Sequence, residues 1–151
     1  MRCSGEIEKL VGALLKSQAA MPSVAKDGSN PHFKSKYASL PGIFTACLPV
    51  LNKNGILLVQ SPGDAPKGFV ALETTLMHSS GQWMSSSLLM PTGKETAQAV
   101  GSALTYARRY AFCAMLGIVA DDDDDGNAAT GAGDKGPKAG EAPPDDLDDL
   151  F

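Results

Sequence analysis

Two adjacent arginines, Arg108 and Arg109, interrupt a run of Ala, Val, Leu, Cys and Met between Ala97 and Ala120, with Tyr106 and Tyr110 on either side of the pair. Guanidinium groups are rarely buried without a partner, so what the pair faces decides what the segment does. At 100° per residue, Lys94, Gln98, Gly101, Thr105, Arg108, Arg109 and Phe112 fall within about 60° of one direction. Val100, Ala103, Leu104, Ala107, Tyr110, Ala111, Ala114 and Met115 fall on the other side, which is the expected core face. A stripe of cations and amides suits a sugar-phosphate backbone, and Gly101 on that stripe leaves room for another backbone to approach. The alternative is a solvated face whose arginines pair with carboxylates of the same domain.

A second candidate lies earlier in the chain. The segment 30–37, NPHFKSKY, interleaves His32, Lys34 and Lys36 with Phe33 and Tyr37. Cations for phosphates and flat rings for unstacked bases are the parts of a single-strand binding surface. Alternatively, Phe33 and Tyr37 pin a loop to the core while the lysines keep it soluble.

Other chemistry finds no support. PTGKE carries Gly93-Lys94, but Leu88 stands where a phosphate-binding loop needs its first glycine, and Glu95 follows the lysine. His32 and His78 have no metal-ligand spacing with cysteine or another histidine. DDDDDG (121–126) matches the first half of a calcium loop, but its twelfth position is Ala132 rather than glutamate. A solvated stop signal is the expected role of Asp121–Asp125, with a metal-dependent nuclease as the outlying alternative. No cofactor and no catalytic constellation are expected.

The net charge of −4 hides a sharp segregation. Residues 1–120 carry eleven Lys and Arg against six Asp and Glu, a net +5, whereas residues 121–151 carry two against eleven, a net −9. A basic body with an acidic tail points to a polyanionic partner for the body and a separate role for the tail. Three widely spaced cysteines suit reduced thiols, no apolar signal core opens the chain, and the arginine pair argues against a membrane span. A soluble, cytoplasmic protein is expected.

The elements that position these residues are readable from periodicity. Ile7, Leu10, Val11, Leu14 and Leu15 predict an amphipathic helix of about three turns. Residues 21–38 have no period and read as a loop. A second helix starts at the N-cap Ser39 and stops at Asn54-Gly55, with Pro49 predicting a kink or a split. The period then changes to two over 56–60, 69–78 and 82–90, a three-stranded antiparallel meander. Thr92 is the expected N-cap of a last helix over roughly 93–118. The fold class is α+β, the meander packed with helices. Beyond Ala120 the Gly, Ala and Pro composition of 126–144 cannot pack a core.

NPHFKSKYASL (30–40), a helix ending in NKNG, a three-strand meander and QAVGSALTYARRYAFCAMLGIVADDDDDG (98–126) resemble the Erf (essential recombination function) family of phage and prophage single-strand annealing proteins. The resemblance covers roughly residues 5–126. It implies a β-β-β-α annealing core, homo-oligomers as rings or helices, and ATP-independent pairing of complementary single-stranded DNA. Carried over by position, it places the loop lysines, Tyr37 and the 98–110 helix near the DNA. Together with the residue chemistry, the expected DNA contacts are Phe33, Lys34, Lys36, Tyr37, Lys94, Gln98, Thr105, Arg108 and Arg109. A strand protector without annealing activity is the alternative.

The end of the chain, Asp145, Asp146, Leu147, Asp148, Asp149, Leu150 and Phe151, resembles the tip of bacterial single-stranded-DNA-binding proteins, with Leu150 in place of the usual proline. It is expected to dock on a host or phage recombination or replication protein or an exonuclease, or to compete with DNA for the chain's own basic surface. The expected division is an annealing domain over 1–120, an acidic run and linker over 121–144, and the tip over 145–151.

Overall fold

The computed structural model describes residues 1–30 and 35–119. Their elements are β1 (Arg2–Cys3), α1 (Glu8–Ala19), β2 (Gly28–Asn30), β3 (Ser35–Tyr37), α2 (Leu40–Lys53), β4 (Ile56–Gly63), β5 (Phe69–His78), β6 (Trp83–Pro91) and α3 (Ala97–Leu116). The architecture is α+β, with one antiparallel sheet in the order β1-β6-β5-β4 and a separate β2–β3 ribbon.

The alternation in β5 sends Val70, Leu72, Thr74 and Leu76 inward, all buried, beneath the helices. Leu58 of β4 and Met84 of β6 face the same way and pack against the core of Leu10, Ile43, Cys47, Leu51, Ile56, Leu76, Phe112 and Leu116. Among the described residues, the opposite face of the sheet has no helix over it and exposes Leu57, Val59, Phe69, Met77 and Leu89. Trp83 pairs with Met77 and lies on that uncovered face. There Arg2 and Ser85 both donate to Glu73 Oε1, each at 2.6 Å.

Three features depart from the expected meander. Arg2 and Cys3 add a fourth strand by pairing with Ser85 and Met84. Part of the expected loop 21–38 forms the β2–β3 ribbon, in which Gly28 stands opposite Tyr37. A Cβ at Gly28 would lie 2.5 Å from the Tyr37 ring, so glycine is what lets that ring cross the partner strand. Pro49 does not split α2, which runs unbroken through fourteen residues. An interior proline costs about 3 kcal/mol, and burial of Ile43, Cys47 and Leu51, each 0% exposed, offsets it at roughly 1.5–3 kcal/mol per side chain.

Helix ends are set by side chains near and far. Ser39 accepts from Gly42 N at 3.1 Å and caps α2. The first turn of α1 has no cap from its own flank, and Gln82 of the β5–β6 turn supplies one by accepting from Lys9 N and Leu10 N. For α3 the N-cap is Thr96, whose hydroxyl accepts from Ala99 N. Thr92 instead belongs to the turn that precedes it, where Lys94 N donates to Thr92 O. Gly117, at φ 68°, ends α3 in the left-handed region. No helix among the described residues is long and apolar enough to cross a membrane.

Two carboxylates carry a pH dependence. Asp27 accepts from Ser39 N and Ser39 Oγ, both at 2.7 Å, and these bonds hold its carboxyl below the usual range. Glu73 is lowered by the Ser85 hydroxyl first and then by Arg2. Because folding lowers both pKa values, the unfolded chain binds more protons in acid. The stability these groups contribute is complete above the ordinary carboxylate range of about 4 and is lost as pH falls below it. Thermal melts from pH 6 to 3 should therefore converge for the native chain and an Asp27→Asn/Glu73→Gln variant as the pH drops. A constant difference between the two would assign the carboxylates no such role.

Candidate nucleic-acid interface

The two arginines of α3 have different surroundings. Arg108 is exposed, its Nε donates to Gln60 Oε1 at 3.4 Å, and its guanidinium lies 5.4 Å from the Phe44 ring centre. Gln60 in turn donates to the Arg108 carbonyl at 3.0 Å and to Thr74 Oγ1 at 3.1 Å, which ties α3 to the sheet at this point. Arg109 departs from the exposed stripe expected of it and is only 6% exposed. Its guanidinium lies 4.6 Å from the Tyr37 ring centre, 5.2 Å from Tyr106 and 5.0 Å from Tyr110. Nη1 donates to Ala38 O and Nη2 to Tyr110 Oη. A cation among three electron-rich ring faces replaces hydration with quadrupole attraction.

The reason is that α3 is packed on two sides. One side lies on β5 and β6, and another meets α2, where Phe112 is fully buried against Phe44 at 5.2 Å between ring centres. The helical wheel thus misplaces Phe112 and Arg109 on the polar stripe. Conversely Val100 and Tyr110, expected in the core, are exposed, as is Ala114.

The rest of the stripe borders a cleft of about 410 Å³ between α3 and the start of α2. Gln98, Gly101, Thr105, Tyr106 and Arg109 form one wall, and Tyr37, Ser39, Leu40 and Pro41 the other. A Cβ at Gly101 would meet nothing within 4 Å, in keeping with open space there. The Thr105 hydroxyl donates to Gly101 O and keeps its acceptor capacity toward the cleft. Exposed cations stand at Lys36 on the ribbon, Lys94 in the turn before α3, and Arg108 on α3. The sequence-distant motifs around Tyr37 and Arg109 therefore meet at one cleft.

Phe33 and Lys34 lie outside the described residues, as do Asp121–Asp125 and the tip Asp145–Phe151. Among the described residues, no three His, Cys, Asp or Glu side chains gather closely enough to hold a metal ion. Cys47 is buried, which pushes its thiol up. Two contributors were missed by sequence reasoning. Tyr106 was read only as a flank of the arginine pair, and Gln60 was passed over. An amide following Ile56 and Leu58 on the inward face of β4 is the signal that could have found it.

Among comparisons with known proteins, the family model described as the ERF superfamily matches residues 10–146. No curated protein matches. No solved structure matches.

Proposed function

The chain belongs to the ERF superfamily, and from that premise and the implied role of the family in phage single-strand annealing we propose that it binds single-stranded DNA along the α2–α3 cleft and pairs complementary strands without nucleotide or metal. The observation that carries this reading is the cleft itself, which joins the Tyr37 motif to the Gln98–Arg109 motif, while the same ribbon, the turn before α3 and α3 carry the exposed Lys36, Lys94 and Arg108. In this reading Lys36, Lys94 and Arg108, with Lys34, neutralise phosphates. Tyr106 and Tyr37, with Phe33, offer ring faces to unstacked bases. Gln98 and Thr105 hydrogen-bond the backbone, and Arg109 positions Tyr37 and Tyr106 rather than reaching phosphate. Base edges stay free for a second strand.

Hybridisation needs no covalent step. The protein lowers repulsion between two polyanions and holds them extended. Self-association belongs to the same reading, and the uncovered sheet face with Leu57, Phe69 and Leu89 exposed supports it. The acidic tip would serve docking on a recombination or replication partner, or self-regulation.

The test is duplex formation between two labelled complementary oligonucleotides at moderate salt, without nucleotide or divalent metal. Annealing faster than that of the bare strands is expected. Tight strand binding with annealing suppressed would make the protein a strand protector, and degradation of labelled strands on adding magnesium would make it a nuclease.

A further inference from the structure

At the other end of α2 from the cleft lies a depression of about 540 Å³. Lys9 and Lys16 of α1, Lys53 and Asn54 at the end of α2, and His78 and Ser79 at the β5–β6 turn line it. The fourteen residues of α2 separate the two sites by about 20 Å. Lys9 and Lys16 are two turns apart on one face of α1, and Gly12 and Ala13 between them leave a floor without long side chains. Among the described residues, no carboxylate lines the depression. Among the described residues, none of the three ammonium groups has an ion-pair partner. Lys16 and Lys53 are in the last turns of their helices, where the helix dipole favours a cation. Lys9 is in the first turn of α1, where the dipole opposes one, so helix stability does not account for it.

We propose that this depression holds the acidic segment Asp145–Phe151 of the same chain. Asp145, Asp146, Asp148 and Asp149 are the charge complement of these three lysines, which have no ion pair among the described residues. Leu147, Leu150 and Phe151 have the exposed Val11 and Leu15 on the next flank of α1 to lie against. The last described residues lie close by, since Gln18, two residues beyond Lys16, donates to Leu116 O at the end of α3. A flexible linker with the length and Gly, Ala and Pro composition of 126–144 would span roughly 24 Å, against about 10 Å between Lys9 and Lys16. A tether of this length holds the acidic segment at a concentration on the order of millimolar. A free oligonucleotide at micromolar concentration is about a thousandfold more dilute, so tethering favours the chain's own acids over nucleic acid. This inference does not depend on the DNA reading of the cleft.

Zero-length carbodiimide cross-linking of the full chain at low salt, read by mass spectrometry, tests it. Expected are cross-links from Asp145–Asp149 to Lys9, Lys16 and Lys53, with a yield unchanged on tenfold dilution. Cross-links confined to other lysines, no cross-links, or a yield that falls with dilution would overturn the proposal. Replacing the four aspartates by asparagine changes no described residue, and it should raise acetylation rates at the three lysines by about fivefold by freeing millimolar-held sites. Equal rates with and without the aspartates, with shielding only when an oligonucleotide is added, would make the depression a nucleic-acid site instead.

Discussion

Replacing Arg109 by alanine is expected to destabilise the fold by roughly 3 kcal/mol, read as a lowered urea midpoint. The side chain is 6% exposed, and its guanidinium lies within 5.2 Å of three tyrosine ring centres. Each desolvated cation–π contact is worth about 0.5–2 kcal/mol, the three are not additive, and the aliphatic stem also loses its packing. Lysine should recover less than half of the loss, because a point charge on a flexible stem cannot present a flat face to three rings. The same guanidinium joins the β2–β3 ribbon to α3 through Tyr37 and Ala38. Amide exchange at 36–38 should therefore accelerate in the alanine variant before the sheet responds. A loss below 1 kcal/mol with unchanged exchange would mean that the tyrosines close over the site without the cation. Arg108→Ala should cost under 1 kcal/mol, since that side chain is exposed and its bond to Gln60 is long.

The second large effect concerns binding. Converting Lys36, Lys94 and Arg108 together to alanine is expected to weaken single-stranded DNA binding by about 100-fold at 50 mM salt. Each phosphate contact on a single strand contributes a slope of about −0.7 to log K against log salt, so losing three should flatten the slope by about 2. All three side chains are exposed, so the melting temperature should stay within about 2 °C of the native value. An affinity loss with the slope unchanged would indicate damage to base stacking rather than lost phosphate contacts. No loss at all would remove these cations from the interface. Measuring both quantities on one variant separates charge from fold.

Much of the architecture was legible because it depends on near neighbours along the chain. The period-two runs of β4, β5 and β6 report the side-to-side alternation of a pleated strand, and the strands lie at 56–63, 69–78 and 83–91. The apolar spacing in α1 and the Ser39 cap of α2 are equally local. The motif pairing of 30–40 with 98–126 carried the family resemblance, and the ERF superfamily match spans it. What stayed hidden depends on partners distant in sequence. The strand at Arg2–Cys3 exists only because the outer edge of β6 is there to pair with it. The β2–β3 ribbon has no period to announce it, and it depends on Gly28 yielding space to Tyr37.

Arg109 is the clearest division between the two kinds of information. Its position on a polar stripe follows from 3.6 residues per turn, and the chain alone determines that angle. Whether the stripe meets water depends on how many elements pack around the helix. Because α3 lies on the sheet and also against α2, the stripe is partly enclosed, and three tyrosines from two elements converge on one guanidinium. In the same way, charge counting along the chain determined that the body is basic. Only the tertiary structure placed Lys53 in one depression with Lys9 and Lys16, about 20 Å from the cleft, because Lys53 is 37 residues beyond Lys16 and becomes its neighbour only through packing.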